Sequence, residues 1–122
     1  MLVLLLMLAA CSSSSHTAEG TPTFTDAKRP IVVRVGQRFH VEVPSTPGTG
    51  YRWRVGQTQP ALVEQTGARS VAPKSTRVGA AGLQVFDFRA KARGEGALAV
   101  VSVGPGRDAP VGKTEQFRVT VR

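Results

Sequence analysis

At 122 residues, the chain has room for one domain once any targeting segment is set aside. Its 16 basic residues outnumber 8 acidic ones, for a formal charge of +8, and most of the cations are arginines. They are scattered along the sequence with no aromatic platform beside them. That argues against a nucleic-acid binder and leaves steering toward an acidic partner or an anionic surface. The single cysteine, Cys11, excludes an intrachain disulfide. No Cys/His cluster forms, because His16 sits in a polar leader and His40 stands alone, so neither a metal site nor any cofactor is expected.

The chain opens with MLVLLLMLAAC and continues with SSSS. The apolar run from Leu2 to Ala10 is too short to span a bilayer as a helix, which needs about 20 residues. It has the length of a signal-peptide apolar core ending in small residues. Leu8-Ala9-Ala10-Cys11 resembles the lipobox of bacterial lipoproteins, which implies that Cys11 is acylated and becomes the mature N-terminus. No Lys or Arg precedes the run, as an ordinary signal peptide requires, which points to a start codon further upstream. Residues 1–11 are thus expected to be a lipoprotein signal peptide with its lipidated cysteine. Residues 12–25 are expected to be a flexible tether with only Phe24 to bury, and 26–122 the folded domain. The expected location is the bacterial cell envelope, lipid-anchored and periplasm-facing. Ser12 directly after the cysteine favours the outer membrane, by the same resemblance.

Beyond residue 30, two-residue alternation recurs and helical periodicity is nearly absent. Residues 31–35 make a first strand, closed by a turn at Gly36-Gln37-Arg38. Phe39, Val41 and Val43 alternate with His40 and Glu42 in a second. Tyr51, Trp53 and Val55 alternate with Arg52 and Arg54 in a third, and 62–66 is a weaker fourth. Phe86, Phe88 and Ala90 alternate with Asp87 and Arg89 in a fifth. Residues 97–103 are more continuously apolar and read as a central strand, and Phe117, Val119 and Val121 mark the last. About seven short strands in about 95 residues, joined by Gly/Pro-rich connections, predict an all-β, immunoglobulin-like antiparallel β-sandwich, with a small barrel as the alternative.

Successive antiparallel strands each cross the domain, so successive connections alternate between its two ends. Residues 36–38, 56–61 and 91–96 then share one end and read as plain turns. Residues 44–50, 67–83 and 104–115 share the other, and include the two longest connections. A sandwich needs only short turns, so this asymmetry predicts a three-loop recognition surface.

The content of those loops is specific. PSTPGTGYRW, then RVGAAGLQVFDFRA, then ALAVVSVGPGRDAP closely resemble, in order and spacing, the chagasin-type (I42) inhibitors of papain-like cysteine proteases. The resemblance covers about residues 31–122 and implies three adjacent loops that insert side by side into the protease's active-site cleft. Pro47, Thr49, Gly50 and Tyr51 match the family's first motif, while Gly48 stands where the family has Thr and Thr46 where it has Asn. Gly79 and Gly82 match the second motif, with Ala81 replacing its middle glycine. In the third, Pro105 is kept, but the family's aromatic is missing and Arg107 is left to supply a different contact. The implied partner-contacting set is Pro47, Gly48, Thr49, Gly50, Tyr51, Gly79, Ala81, Gly82, Pro105 and Arg107. The implied mechanism is reversible occlusion without chemistry. A slim, pre-shaped loop enters a narrow cleft, Thr49 hydrogen-bonds inside it, and Tyr51 and Trp53 support the loop from the core.

No catalytic constellation is visible, so an enzyme is not expected. Asp108 and Glu115 are single acidic residues in a long connection and read as solvated. The expected partners are a papain-like cysteine protease and, through Cys11, a membrane, with the protein itself a monomer. Two other readings stay open. One is a non-inhibitory structural or adhesive envelope domain, favoured by the missing aromatic. The other is attachment to acidic envelope polymers through the net charge.

Overall fold

The computed structural model describes residues 20–56, 58–106 and 111–122, so Cys11, His16, Arg107 and Asp108 lie outside the described residues. Eight strands follow in order: β1 (Thr23–Phe24), β2 (Ile31–Val33), β3 (Arg38–Ser45), β4 (Arg52–Val55), β5 (Val63–Val71), β6 (Gly82–Ala90), β7 (Gly94–Val103) and β8 (Val111–Val121). They form two four-stranded sheets, ordered β1-β3-β6-β5 and β2-β8-β7-β4. The alternating residues of both sheets meet between them. Phe39, Val41 and Val43 from β3 and Phe86 and Phe88 from β6 face Leu98 and Val100 of β7 and Phe117, Val119 and Val121 of β8. Phe39 stacks on Phe88 with ring centroids 5.4 Å apart. Both rings are fully buried, and truncating either to Ala would cost about 3–5 kcal/mol.

The expected sandwich is present, with three differences. First, the body begins before residue 26. Thr23 and Phe24 pair in parallel with His40 and Val41 of β3, and the Phe24 ring meets Phe39 edge-on at 6.0 Å. One apolar side chain in a polar run carries no alternation, and it is the backbone pairing that makes this a strand. Second, the outer edge pairings β1–β3 and β2–β8 are parallel, while all the others are antiparallel. Third, β5, β6 and β8 extend well past the apolar stretches that mark them in the sequence. Val71 pairs with Leu83 and Val103 with Val111, so the connections at that end shorten to residues 72–81 and 104–110. The central position expected for 97–103 holds, since β7 lies between β8 and β4.

His40 and Asp87 face each other across β3 and β6 on the outer side, with Nδ1 2.5 Å from Oδ1. The approach is close without the alignment of a hydrogen bond. Arg69 Nη1 lies 3.7 Å from the same carboxylate oxygen. Val85, on the same outer face, is fully buried, flanked in register by Glu42 and Arg69. Long charged side chains covering an apolar neighbour account for that burial.

Candidate functional site

The three connections expected to share one end do so. The first loop, residues 46–51, leaves β3 at Ser45, which pairs with Gly82, the first residue after the second loop. The same first loop enters β4 at Arg52, which pairs with Val103, the last residue before the third loop. Register alone therefore brings Gly50, Gly82 and Pro105 to one pole. First and third loops also touch: a methyl group placed on Gly50 would sit 3.4 Å from Pro105 Cγ.

The first loop is tied to itself. Pro47–Thr49 form one 3-10 turn, in which the Thr49 N–H and the Thr49 hydroxyl both donate to Thr46 O, at 3.1 and 2.8 Å. Tyr51 N–H in turn donates to Thr49 Oγ1 at 3.4 Å. Gly50, with φ near +82°, makes the left-handed step that turns the chain into β4. Behind the loop, Trp53 is half-buried against the core and its Nε1–H donates to Pro44 O at 2.8 Å, which fixes the loop's base. Tryptophan thus supports the loop from within, as expected. Tyr51 does not: it is 38% exposed. Its ring packs beside Gly112, where an added Cβ would lie 3.1 Å from Tyr51 Cε1. A cleft of about 420 Å³ opens between Thr49, Tyr51, Trp53, Ser102 and Lys113.

Thr49 also has a role inside the loop. Its only hydroxyl proton is spent on Thr46 O, so in this conformation it shapes the loop and has an acceptor, not a donor, left to offer.

The second loop, residues 72–81, is built differently. Ala80 N–H donates to Arg77 O at 3.1 Å, and Gly79 has φ near +82°. Those two features define a β-turn with glycine at its third position, the type II pattern. Val78 occupies the second position and is completely exposed, at 106% of its reference area. The implied contact set takes Gly79, Ala81 and Gly82 from this loop and does not include Val78. An apolar side chain inside RVGAAG, lifted on a Val-Gly turn, was the available signal. At the loop's exit Gly82 is buried, and a side chain there would collide with Val71 O and crowd Pro73 at 3.3 Å. Gly82 is therefore a packing requirement of the loop's base. Ala81 beside it is exposed.

The third loop begins with buried Gly104, then exposed Pro105 and Gly106. Arg107, the substitute contact expected there, lies outside the described residues. Among the described residues of the three loops there is no carboxylate, while Lys74 and Arg77 are present and Lys113 stands alongside. The result is one edge of small residues and backbone, basic at its margins, with Val78 as its most exposed apolar side chain. Among the described residues it holds no nucleophile–base pair. No group of His, Cys, Asp and Glu among the described residues could hold a metal ion.

A family model described as chagasin family peptidase inhibitor I42 matches residues 32–121. No curated protein matches by sequence. Among solved structures, the solution structure of amebosin is similar with a TM-score of 0.65 and 20% identity, covering 85% of this chain and all of that one. The crystal structure of the cysteine protease inhibitor EhICP2 from Entamoeba histolytica is similar at a TM-score of 0.66 and 12% identity, covering 85% of this chain and 99% of that one. At these identities the likeness bears on the fold.

Proposed function

Because the chain belongs to the chagasin family of peptidase inhibitors, we propose that it blocks papain-like cysteine proteases reversibly, by laying its three-loop edge across the active-site cleft. The observation that carries this reading is the contiguity of the edge: Gly50 against Pro105, and Ser45 opposite Gly82. Two of the loops arrive pre-shaped, so little conformational freedom is lost on binding. The first loop offers backbone and the Thr49 acceptor to a narrow cleft. The second offers Val78, whose exposed side chain gains from burial in an apolar subsite. Lys74, Arg77 and Lys113 favour a target whose cleft is rimmed by acidic groups.

Titrating papain, and a cathepsin of the same fold, with residues 20–122 tests the proposal. Competitive inhibition that is relieved on dilution is the expected result. Absence of inhibition at micromolar concentration against several such enzymes would contradict it.

The proposal extends to location. An acyl group on Cys11 would hold the domain at the cell envelope, with the segment after it as tether. The motif LAAC and the serine run behind it support this. Mass spectrometry of the mature N-terminus is expected to find lipidated Cys11, and a free thiol there would overturn the anchor.

A further inference from the structure

Five exposed cations crown the pole opposite the loops. Arg34 stands in the turn after β2, Arg38 opens β3, Lys91 and Arg93 lie between β6 and β7, and Arg122 follows β8. Backbone hydrogen bonds hold these segments together as one end of the body. Val35 N–H donates to Arg122 O at 3.0 Å, Gly36 N–H to Ala90 O at 2.8 Å and Lys91 N–H to Leu62 O at 2.8 Å. The side-chain carboxylates nearest in sequence and register are Glu95 and Glu64, and Glu64 is engaged by Arg89 at 3.1 Å.

The N-terminal segment joins the body on the same side. β1 runs parallel to β3, and His40 N–H donates to Pro22 O at 2.9 Å. Following the chain backwards from Phe24 therefore leads past His40 toward Arg38, away from the loops. Eight residues, 12–19, separate Cys11 from Gly20, so nine Cα-to-Cα steps join the two. At about 3.5 Å per residue they reach at most about 30 Å.

From charge and chain placement together, we propose that this pole binds an anionic phospholipid surface and so points the three loops away from the bilayer. Each arginine or lysine near such a surface adds attraction that acts within a Debye length, about 8–10 Å at ordinary salt. A short tether from an acylated Cys11 keeps the pole at high local concentration, so a weak contact suffices to orient the domain. The inference builds on the envelope reading, yet the contact belongs to the body and does not need the acyl group.

The test uses the chain from Ser12 onward, which contains every residue of the core, and co-sedimentation with vesicles. Phosphatidylglycerol/phosphatidylcholine vesicles are expected to bind it, and phosphatidylcholine alone is not. Raising salt to about 0.5 M, or the triple substitution Arg34→Glu, Lys91→Glu and Arg93→Glu, is expected to weaken binding at least tenfold. Removing the same charge at the other pole, by Lys74→Glu, Arg77→Glu and Lys113→Glu, is expected to change it less than about threefold. The unfolding midpoint of each variant checks the fold independently of any protease. Should a reversal fail to fold, Lys91→Gln with Arg93→Gln is expected to show a smaller loss in the same direction. No binding to anionic vesicles, equal binding to neutral ones, or a loop-pole variant that loses as much or more would each overturn the proposal.

Discussion

The first and second loops share a pole but are built on opposite plans. The first closes on itself: Thr49 supplies a hydroxyl that donates to Thr46 O and accepts from Tyr51 N–H, and Trp53 braces the base through Pro44 O. The second has two internal bonds, Arg77 N–H to Ser75 Oγ at 3.2 Å and Ala80 N–H to Arg77 O at 3.1 Å, and presents Val78 without cover. The contrast separates two ways of contributing to a contact. Side chains of the first loop fix a backbone shape, whereas a side chain of the second is itself offered. Substitutions in the first loop should therefore act through shape, and substitutions in the second through contact.

The sharpest way to break that distinction is at Val78. Val78→Asp places a charge on the exposed tip and is expected to weaken protease inhibition by roughly thirtyfold, as for the loss of an interface anchor. Its unfolding midpoint should stay at the wild-type value, because the side chain touches nothing in the free protein. Stability loss of the same size as the inhibition loss would show that Val78 is structural after all.

Gly82→Leu probes the base of the same loop and should behave in the opposite way. A side chain driven into Val71 O and Pro73 is expected to destabilise the fold by about 1–3 kcal/mol, read as a lower denaturant midpoint. Inhibition should fall with it only as far as the loop is displaced.

Gly50→Ala is expected to cost about 1–2 kcal/mol of stability, read as a lower denaturant midpoint, from the left-handed φ and the nearby Pro105. Thr49→Val keeps the branched shape but removes the hydroxyl. Losing one good hydrogen bond and one long one is expected to cost about 1 kcal/mol, or roughly a fivefold rise in the inhibition constant. Faster amide exchange at Tyr51 should accompany it. If Thr49 instead donates directly to the protease, inhibition would fall while exchange stayed unchanged.

What the sequence disclosed follows the same physical line. Strand segments with a buried face write their pattern into the residues, so 39–43, 53–55, 86–90 and 117–121 were legible by alternation alone. Where a strand extends beyond the core it has no buried face to advertise. Residues 67–71 of β5 and 111–115 of β8 are mostly exposed and held by backbone pairing, so the sequence placed them in loops. Phe24 was missed as a strand residue because one core-facing side chain in a two-residue strand sets up no alternation. The shared pole of the three loops was legible because strand parity alone determines it. The role of Thr49 was not, since a hydroxyl beside a proline and two glycines reads equally well as a staple or as a donor to a partner. Val78 escaped because a lone exposed valine on a turn has no sequence signature apart from its glycine neighbour.

The claim on which the rest stands is that the three loops act as one edge. Amide hydrogen exchange of residues 20–122, alone and with an excess of active papain, tests it most directly. The expected result is added protection in 46–51, 77–82 and 104–106 together, with the 34–37 and 91–93 turns unchanged. Protection limited to the far pole or to a sheet face, with those three stretches exchanging as before, would contradict it.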